Sequence, residues 1–346
     1  MSRKIFGQIW LALFGLAFLV SCTQQNVVEP VLLQGKTMGT TFHIKYYPVE
    51  NVISSEQLLA EVNKELQHVN QLMSTYIPDS ELSLLNKTPA NVEFLLSEEN
   101  VFLLNESLRI HQISGGAFDV TIGPLVNLWG FGPQGRVTKR PSEEQVNQTL
   151  LSIGENAFEL TGSKVIKYHD DTYIDFSAIA KGYGVDQIAA LIQSHGINSY
   201  LVEIGGEIKT SGIKPNGSAW RVAIEKPSTT ERQTQLIVEL KDMAMATSGD
   251  YRNYFEQDGV RFSHTIDATT GQPITHNLAS VTVLHESSAT ADALATAINV
   301  MGADTGLVFA EEYNIAAYML VKSDSGFDAI ASSAFQPYLE QPKAAN

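Results

Sequence analysis

Apolar residues recur every three or four positions in five segments of the chain, which is the spacing of an amphipathic helix. The first segment opens with Ser54 and Gln57, the residue pair of a capping box, and continues with apolar positions from Leu58 to Leu72. Glycine follows several of the others, as expected where a helix ends. The pattern predicts helices over 54–76, 97–113, 142–153, 178–195 and 289–301.

Alternation of apolar and polar residues predicts strands elsewhere, most of them in the second half of the chain. The predicted strands are 41–47, 164–168, 172–176, 200–204, 219–225, 234–240, 280–284 and 316–322. Charged residues between the second and third predict a hairpin there. Helices and strands do not alternate one for one, and the sequence shows no internal repeat. We therefore predict an α+β fold rather than a solenoid or a doubly wound sheet.

Composition narrows the classes of protein to which the chain can belong. Of its 346 residues 44% are hydrophobic and 18% are charged, which is enough to bury a sizeable core and too apolar for a disordered chain. Asp and Glu number 38 against 23 Lys and Arg, so the formal net charge is −15. A field of that sign repels phosphate backbones, and nucleic acid is therefore not an expected partner.

The first 22 residues have the layout of an export signal. Arg3 and Lys4 precede an apolar run over 5–20, which is shorter than the roughly 20 residues of a membrane span, and Cys22 is the single cysteine. Leu19-Val20-Ser21-Cys22 resembles the bacterial lipobox, in which the cysteine is acylated. An ordinary signal peptide with an incidental cysteine is the alternative. We predict a lipoprotein signal peptide at 1–21, a lipidated tether at 22–30 and one folded domain over 31–340.

Two segments combine an acidic residue with an accessible backbone. Gly115-Gly116 ends a predicted helix just before Phe118 and Asp119, so a flat ligand could approach the backbone there. A plain helix C-cap with a buried Phe accounts for the same pattern. Asp175 and Lys181 stand where a strand runs into a helix, and helix N-termini favour anions. That arrangement suits a metal-bridged phosphate, and an ordinary N-cap with a surface lysine is the alternative.

Three further segments carry candidate functional side chains. Gly205-Gly206-Glu207 permits close approach to the backbone or forms a simple turn. His264 and Asp267 lie close together in an irregular segment, although a lone histidine is more often structural. Asp292 and Thr296 are four residues apart on a predicted helix, so their oxygens share one face. Such oxygens suit Mg²⁺, and helix capping with core packing is the alternative.

In their order along the chain these segments resemble the ApbE family, the FAD:protein FMN transferases, over nearly the whole mature sequence. The matching motifs are Met38-Gly39-Thr40, Ser74-Thr75-Tyr76, 114–119, 175–182, Gly205-Gly206-Glu207, Thr247-Ser248-Gly249, 264–271 and 291–296. The chain departs from the family's usual Asp-Leu-Gly-Gly at Asp175-Phe176-Ser177-Ala178, and from its usual Asp-Pro at Asp267-Ala268.

The resemblance implies a T-fold-like α+β body with a smaller lobe and with FAD in the cleft between them. The residues that it implies for the FAD site are Met38, Tyr76, Ala117, Phe118, Asp119, Asp175, Lys181 and Ile266. The implied Mg²⁺ ligands are the carbonyl of Ala178, the carboxylate of Asp292 and the hydroxyl of Thr296. Asp292 is thus one expected catalytic residue, and His264 is the candidate base because imidazole titrates near neutral pH.

The resemblance also implies an activity, namely Mg²⁺-dependent transfer of the FMN half of FAD to a threonine of a partner flavoprotein, with release of AMP. The expected partners are flavin-bearing subunits of the Na⁺-translocating NADH:quinone reductase and of Rnf-type complexes. They favour a lipid anchor on the periplasmic side of the inner membrane, with the outer membrane as the alternative. Two other functions could use the same site: a Mg²⁺-dependent FAD pyrophosphatase giving FMN and AMP, and a non-catalytic FAD-binding lipoprotein.

Overall fold

The computed structural model describes residues 28–50, 52–132, 140–227, 233–249, 254–257 and 260–340, so the predicted signal peptide and Cys22 lie outside it. The helices are α1 (Ser55–Met73), α2 (Glu81–Lys87), α3 (Glu98–Ile113), α4 (Gly123–Leu128), α5 (Glu143–Leu150), α6 (Ala180–Ser194), α7 (Ser288–Glu312) and α8 (Gln336–Leu339). The strands are β1 (Val31–Thr37), β2 (Thr40–Tyr46), β3 (Glu93–Leu95), β4 (Phe158–Thr161), β5 (Lys164–Lys167), β6 (Tyr200–Ile204), β7 (Glu207–Ser211), β8 (Trp220–Glu225), β9 (Thr234–Leu240), β10 (Ala244–Gly249), β11 (Tyr254–Gln257), β12 (Val260–Ser263), β13 (Ile266–Asp267), β14 (Gln272–Pro273), β15 (Leu278–His285), β16 (Ala316–Ser323) and β17 (Gly326–Ala331).

An eight-stranded sheet organises the molecule. Its order is β1-β2-β6-β7-β10-β15-β16-β17, and every neighbouring pair is antiparallel. Along β10, Met245 belongs to an apolar cluster on one face of the sheet and Ala246 to a cluster on the other, as the two-residue period of a strand requires. The centre of the sheet is therefore buried on both faces, and the α+β prediction is confirmed.

Three long helices cover one face of this sheet. α1 and α6 pack over β1, β2 and β6 through apolar side chains such as Leu58, Val62 and Ile188. α7 packs over β10, β15 and β16, and it also contacts α6. Each fully buried Leu or Ile contributes roughly 1.5–3 kcal/mol relative to an exposed one. The two helices that carry Lys181, Asp292 and Thr296, α6 and α7, are therefore fixed by the core itself.

The hairpin of β8 and β9, together with α8, covers the opposite face. Val222 and Leu240 of the hairpin cluster there with Leu284, Leu320 and Phe335. A separate three-stranded sheet, β3-β5-β4, packs against the helices of the first half of the chain.

A buried lysine ties the three-stranded sheet to the loop that leads to Asp175. Lys167 is 1% exposed, and its Nζ donates to the carbonyl oxygens of Asn86 at 2.8 Å, Thr172 at 3.1 Å and Asp170 at 3.3 Å. Burial lowers the pKa of Lys167, although nearby carboxylates oppose that change. The ammonium of Lys167 thus satisfies these carbonyl groups, which have no neighbouring strand among the described residues to donate to them.

The predicted hairpin of 164–168 with 172–176 is wrong. β5 pairs with β4 and β3, and 172–176 is irregular apart from one isolated bridge between Ile122 and Tyr173. The backbone of Ile174 is bonded instead to a side chain: its N–H donates to Asn86 Oδ1, and Asn86 Nδ2 donates to its carbonyl, both at 2.8 Å. An amide 88 residues away in the sequence thus takes the place of a strand.

Most predicted helix starts are confirmed, and several ends differ. Ser54 and Gln57 form the predicted capping box of α1, but the helix ends at Met73 because Ser74 is extended, with φ −77° and ψ 126°. α5 is shorter than predicted, and α6 begins at Ala180 rather than at 178. The other predicted strands and the helix 97–113 agree with the structure to within two residues.

Gly302 interrupts α7 rather than ending it. Its φ of 78° and ψ of 178° are not helical, yet the helix resumes and runs to Glu312. A Cβ there would lie 3.0 Å from the ring of His276, so the glycine admits that ring against the helix. Within the described residues only α7 is long and apolar enough to span a membrane, with a mean hydropathy of 1.4, and its burial in the core accounts for this composition.

Candidate active site

Two cavities adjoin where α6 begins. Their volumes are about 400 Å³ and about 680 Å³, and both are lined by Asp175, Ser177 and Lys181. The smaller cavity also contains the predicted residues Ala117, Phe118, Asp119, Ala178, His264, Ile266, Asp292 and Thr296. The larger contains Met38 and Tyr76. The structure thus places every predicted FAD, metal and catalytic residue around these two cavities.

Gly182 allows α6 to approach α7 closely. A Cβ at this position would lie 2.2 Å from the carbonyl oxygen of Ser288 and 2.7 Å from Cα of Ala289, which are rigid backbone atoms. The N–H of Gly182 donates to Asp292 Oδ2 at 3.1 Å. The close contact of the two helices therefore fixes Asp292 beside the start of α6.

Asp186, one turn further along α6, caps α7. Its carboxylate accepts hydrogen bonds from the hydroxyl of Ser287 at 2.9 Å and from the N–H groups of Ser288 at 3.1 Å and Ala289 at 3.0 Å. Lys209 of β7 donates to the same carboxylate at 2.7 Å. A carboxylate at a helix N-terminus is stabilised by the unpaired N–H groups and by the helix dipole. Asp186 therefore joins β7, α6 and α7 at one point, about one helical turn from Asp292.

Lys181 lies between two buried carboxylates. Its Nζ is 2.8 Å from Glu207 Oε1 and 3.5 Å from Asp292 Oδ2. The carboxylate side chains are 4% and 7% exposed, whereas that of Lys181 is 30% exposed. Glu207 Oε2 is buried and has no hydrogen-bond partner among the described residues. The group combines one ammonium with two carboxyl groups, and its lysine is the most exposed of the three.

The pKa values of this group follow from burial and proximity. Burial alone would lower the pKa of Lys181, but the carboxylates of Asp292 and Glu207 outweigh it and raise that pKa above its ordinary value. Burial raises the pKa of Glu207, with Asp292 adding to the rise and Lys181 opposing it. Lys181 is therefore a permanent cation that faces both cavities.

The oxygens of the smaller cavity are a suitable set for a hard cation. Asp292 and Thr296 stand one turn apart on α7, and Ala178 lies in the loop before α6. Carboxylate, hydroxyl and carbonyl oxygens are the ligands that Mg²⁺ prefers, and Mg²⁺ often completes its shell with waters and substrate phosphates. The donor set therefore fits the predicted Mg²⁺.

The glycine pair after α3 leads into the part of the smaller cavity's wall formed by Ala117, Phe118 and Asp119. Gly115 and Gly116 have φ values of 61° and 87°, a region that favours glycine. The hydroxyl of Ser114 accepts from the N–H of Phe118 at 3.1 Å and closes the turn. Asp119 Oδ1 accepts from the N–H of Thr121 at 2.7 Å, and burial raises the pKa of Asp119 although these bonds oppose the rise. The carboxylate is thus held in one orientation.

The loop before α6 separates the two cavities. Asp175 Oδ1 accepts from the N–H of Ser177 at 2.8 Å, and the N–H of Asp175 donates to the carbonyl of Val120 at 2.7 Å. Burial raises the pKa of Asp175. Phe176 is 1% exposed and packs into the main core, whereas Ser177 lines both cavities.

Met38 and Tyr76 reach the larger cavity from different elements. Met38 and Gly39 form the turn between β1 and β2 with φ values of 48° and 71°. A Cβ at Gly184 would lie 3.0 Å from Met38 Cε, so the thioether rests against α6. Tyr76 is 69% exposed, which leaves its ring free to cover a ligand.

His264 and Ile266 form the far wall of the smaller cavity. Ile266 is 3% exposed and belongs to the apolar cluster of Trp129. The ring of His264 meets that of Phe131 edge-on, with 6.4 Å between the centroids. The backbone of this segment is fixed because Ile274 donates to the carbonyl of Thr265 at 3.0 Å.

The sequence model of the ApbE family matches residues 38–319. The chain belongs to the ApbE family. The match spans every element that lines the two cavities.

Relatives within the ApbE family match over almost their full length. An FAD:protein FMN transferase of Vibrio cholerae is 47% identical over 96% of this chain and 99% of its own. An FAD:protein FMN transferase of Haemophilus influenzae is 43% identical over 98% of this chain and 99% of its own. The solved structure of flavin transferase ApbE from Vibrio cholerae covers 90% of this chain and 99% of its own, with 46% identity and a TM-score of 0.84. The fold described above is thus that of ApbE structures.

Sequence reasoning passed over two side chains of this ApbE-type site. The sequence predicted Glu207 only as part of the Gly205-Gly206-Glu207 motif, as a site of close backbone approach or a simple turn, and predicted no role for its carboxylate. Asp186 drew no attention, because a capping residue normally lies on the chain just before its helix. Here it lies 102 residues before Ser288, and only the packing of α6 on α7 brings them together.

Proposed function

We infer that this chain is an FAD:protein FMN transferase. The observation that carries the inference is the position of Lys181 at the junction of two cavities, beside a hard-oxygen ligand set in the smaller one. A cation beside an acidic metal site is what phosphoryl transfer needs, because charge on the phosphates rises in the transition state. Relatives that are 47% and 43% identical over 99% of their own length bear that name.

FAD lies across both cavities in this proposal, with its pyrophosphate at their shared wall. Asp175, Ser177 and Lys181 form that wall, and Lys181 is the cation among them. Asp119 and the exposed ring of Tyr76 stand on opposite sides of it. This arrangement supports the expected cleft for FAD.

Asp292, Thr296 and the carbonyl of Ala178 would hold Mg²⁺. When bound, the ion supplies positive charge that stabilises the phosphates of FAD during transfer. Gly182 keeps Asp292 in place through its N–H, and the close contact of α6 with α7 helps to bury the carboxylate, whose side chain is 7% exposed.

The transfer forms one bond and breaks one. The hydroxyl oxygen of an acceptor threonine bonds to the FMN-side phosphorus, and the bridging oxygen leaves with AMP. Lys181 stabilises the charge that develops on this leaving phosphate. His264 takes the hydroxyl proton, because imidazole, with an ordinary pKa of about 6.5, suits a base near neutral pH, and releases it to water.

The acceptors in this proposal are flavin-bearing subunits of the Na⁺-translocating NADH:quinone reductase or of Rnf-type complexes. The support is the predicted lipid anchor at Cys22, which would hold the enzyme on the periplasmic face of the inner membrane, beside such complexes. The outer membrane is the alternative site of anchoring.

A reconstitution assay tests the function. The chain starting after Cys22 is mixed with FAD, Mg²⁺ and a flavin-accepting subunit of the NADH:quinone reductase, and the products are followed by intact mass and by chromatography of AMP. We expect the subunit to gain the mass of FMN on a threonine, in proportion to AMP and only with Mg²⁺.

The same assay separates the other two functions. AMP and free FMN without a gain in mass would establish a pyrophosphatase. Bound FAD without either product would leave an FAD-binding lipoprotein.

A further inference from the structure

β10 extends past its neighbour β7. It pairs with β15 along its whole length, but with β7 only where Ala244 meets Lys209 and Met245 meets Ile208. β7 starts at Glu207, so it has no residues beyond that point to pair with β10. In the part of the chain that the structure describes, the stretch Thr247–Gly249 therefore has an open edge on the β7 side.

The turn between β6 and β7 does not cover that edge. Gly205 and Gly206 have φ values of 59° and 108° and carry the chain away. The N–H of Gly205 donates to the carbonyl of Thr41 at 3.1 Å, and the N–H of Gly206 donates to Glu203 Oε1 at 2.7 Å. Both N–H groups of the turn are therefore already bonded, one to β2 and one to β6.

The two-residue period of a strand determines which main-chain N–H and C=O groups of β10 face the open edge. The carbonyl of Met243 accepts from Thr210 of β7 at 2.9 Å, so Met243 points towards β7. In an antiparallel strand the N–H and C=O of one residue point the same way, and successive residues alternate. Thr247 and Gly249 therefore point to the open edge, whereas Ser248 points to β15.

The open edge is a wall of the smaller cavity. Thr247, Ser248 and Gly249 line that cavity together with Lys181 and Asp292. A strand added at the usual spacing of about 4.8 Å would occupy the space beyond the β6–β7 turn. Its alternate side chains would point to the face on which α7 packs, as Ala246 does, and that is the face of Lys181 and Asp292.

We propose that Thr247–Gly249 docks an extended segment of the acceptor protein by strand addition, so that its threonine hydroxyl enters the smaller cavity. The proposal rests on the proposed transferase function. Transfer to a protein requires one side chain to enter a space of about 400 Å³, and an extended segment on the open edge would present single side chains to it. Strand addition recognises main chain, and pockets for alternate side chains then select the residue.

Amide hydrogen exchange at single-residue resolution tests the proposal on the full-length, FAD-loaded chain. The probe is the flavin-accepting subunit of the NADH:quinone reductase with its acceptor threonine replaced by valine, which binds without reacting. We expect the amides of Thr247 and Gly249 to exchange about tenfold or more slowly in the complex. The amide of Ser248, already bonded to β15, should change little.

Two exchange results would overturn the docking edge. One is a complex that forms without slowing exchange at Thr247 and Gly249. The other is full protection of both amides in the free chain, which would mean that another part of the chain already covers the edge.

Synthetic acceptor peptides give a second, independent readout with the unchanged enzyme. Peptides that copy the sequence around the acceptor threonine are N-methylated at one residue at a time. We expect the rate of FMN transfer to fall about tenfold or more at alternate positions only, because every second N–H faces β10. Uniform loss or no loss along the peptide contradicts strand addition. Failure of the unmodified subunit to accept FMN would instead refute the transferase function itself.

Discussion

Single residues define the chemistry of the site through the contacts that orient them. Asp292 receives a hydrogen bond from Gly182 and lies 3.5 Å from Lys181, while Lys181 is held more closely by Glu207. The sequence identified Asp292 and Lys181 because their residue types and spacing carry a chemical meaning. It did not predict the pairing of Glu207 with Lys181, because that contact arises only where β7 passes α6.

Replacing Asp292 with Asn should reduce FMN transfer by about 100-fold or more at low Mg²⁺, because a charged ligand is lost while the shape is kept. High Mg²⁺ should restore part of the rate. Asp304→Asn, an exposed change on the same helix, is the matched control and should leave the rate unaltered. Full activity of the Asp292 variant, or of the wild type in EDTA, would contradict the metal assignment.

Asp175→Asn should make the protein more stable at pH 7. Burial raises the pKa of Asp175, so the folded chain binds that proton more tightly than the unfolded chain does. The stability that this carboxyl contributes is therefore greatest in acid and is lost as the pH rises through its folded pKa. Asn copies the neutral form and can still accept from Ser177. Urea unfolding at pH 7, 5.5 and 4 should show the gain shrinking towards acid.

Asp79 provides the control for that series, because it is exposed. Asp79→Asn should differ from the wild type by the same small amount at each pH. A gain at Asp175 that does not depend on pH would show that its charge is not the cause.

Secondary-structure elements differ in how far local sequence determines them. The capping boxes of α1 and α5 are complete within four residues, so their starts could be predicted from the sequence. The irregular path of 172–176 could not, because it depends on Asn86 and Lys167 from other elements. The continuation of α7 past Gly302 could not be predicted either, because a glycine there is typical of a helix end, whereas the structure shows one non-helical residue followed by further helix.

Gly182→Ala tests the contact of α6 with α7. The added methyl group meets the backbone of Ser288, so the helices must separate, at a cost of about 2–3 kcal/mol in the free energy of unfolding. Gly184→Ala is the control on the same helix, since its nearest neighbours are side-chain atoms of Met38 and Ile204. It should cost less than about 1 kcal/mol, because alanine also favours the helix. Equal losses in denaturant unfolding would refute the close-contact argument.

Lys167→Met tests the buried ammonium. Three carbonyl groups lose their donor, and we expect the free energy of unfolding to fall by about 2–3 kcal/mol. Lys164→Met on the same strand removes only an exposed ion pair with Glu93 and should cost less than about 1 kcal/mol. Chemical denaturation of both variants measures the free energy of unfolding. An unchanged value for the Lys167 variant would show that water replaces the ammonium as the donor to these carbonyls.

At the scale of the whole molecule, the predicted anchor and the acidic body have separate tasks. The full chain has a formal net charge of −15, which favours solubility of the folded part, while the predicted acylation of Cys22 would hold it at a membrane. The structure does not extend to Cys22, so its acylation stays a prediction from sequence.

Cys22→Ala should move the protein from the membrane fraction to the soluble periplasmic fraction, because a cysteine thiol is the site of acylation. FMN transfer by the isolated protein should be unchanged, since the described fold begins after this residue. Cell fractionation with labelled palmitate measures both anchoring and modification. A variant that stays with the membrane would point to an uncleaved apolar segment or to a partner-held protein.

The burial of α7 has a consequence for how this protein can evolve. Every residue from Ser288 to Ala295 is buried, and Asp292 lies among them. Selection for a folded chain and selection for catalysis therefore act on the same two turns of α7. In a duplicated gene that is no longer selected for catalysis, the sequence of this helix would still be conserved by selection for folding. The exposed Tyr76 and the open edge of β10 would accumulate substitutions first. In a library of random variants, substitutions along α7 should lower both the cellular abundance and the activity of the protein. Substitutions at Tyr76 or at the open edge of β10 should lower the activity and leave the abundance unchanged.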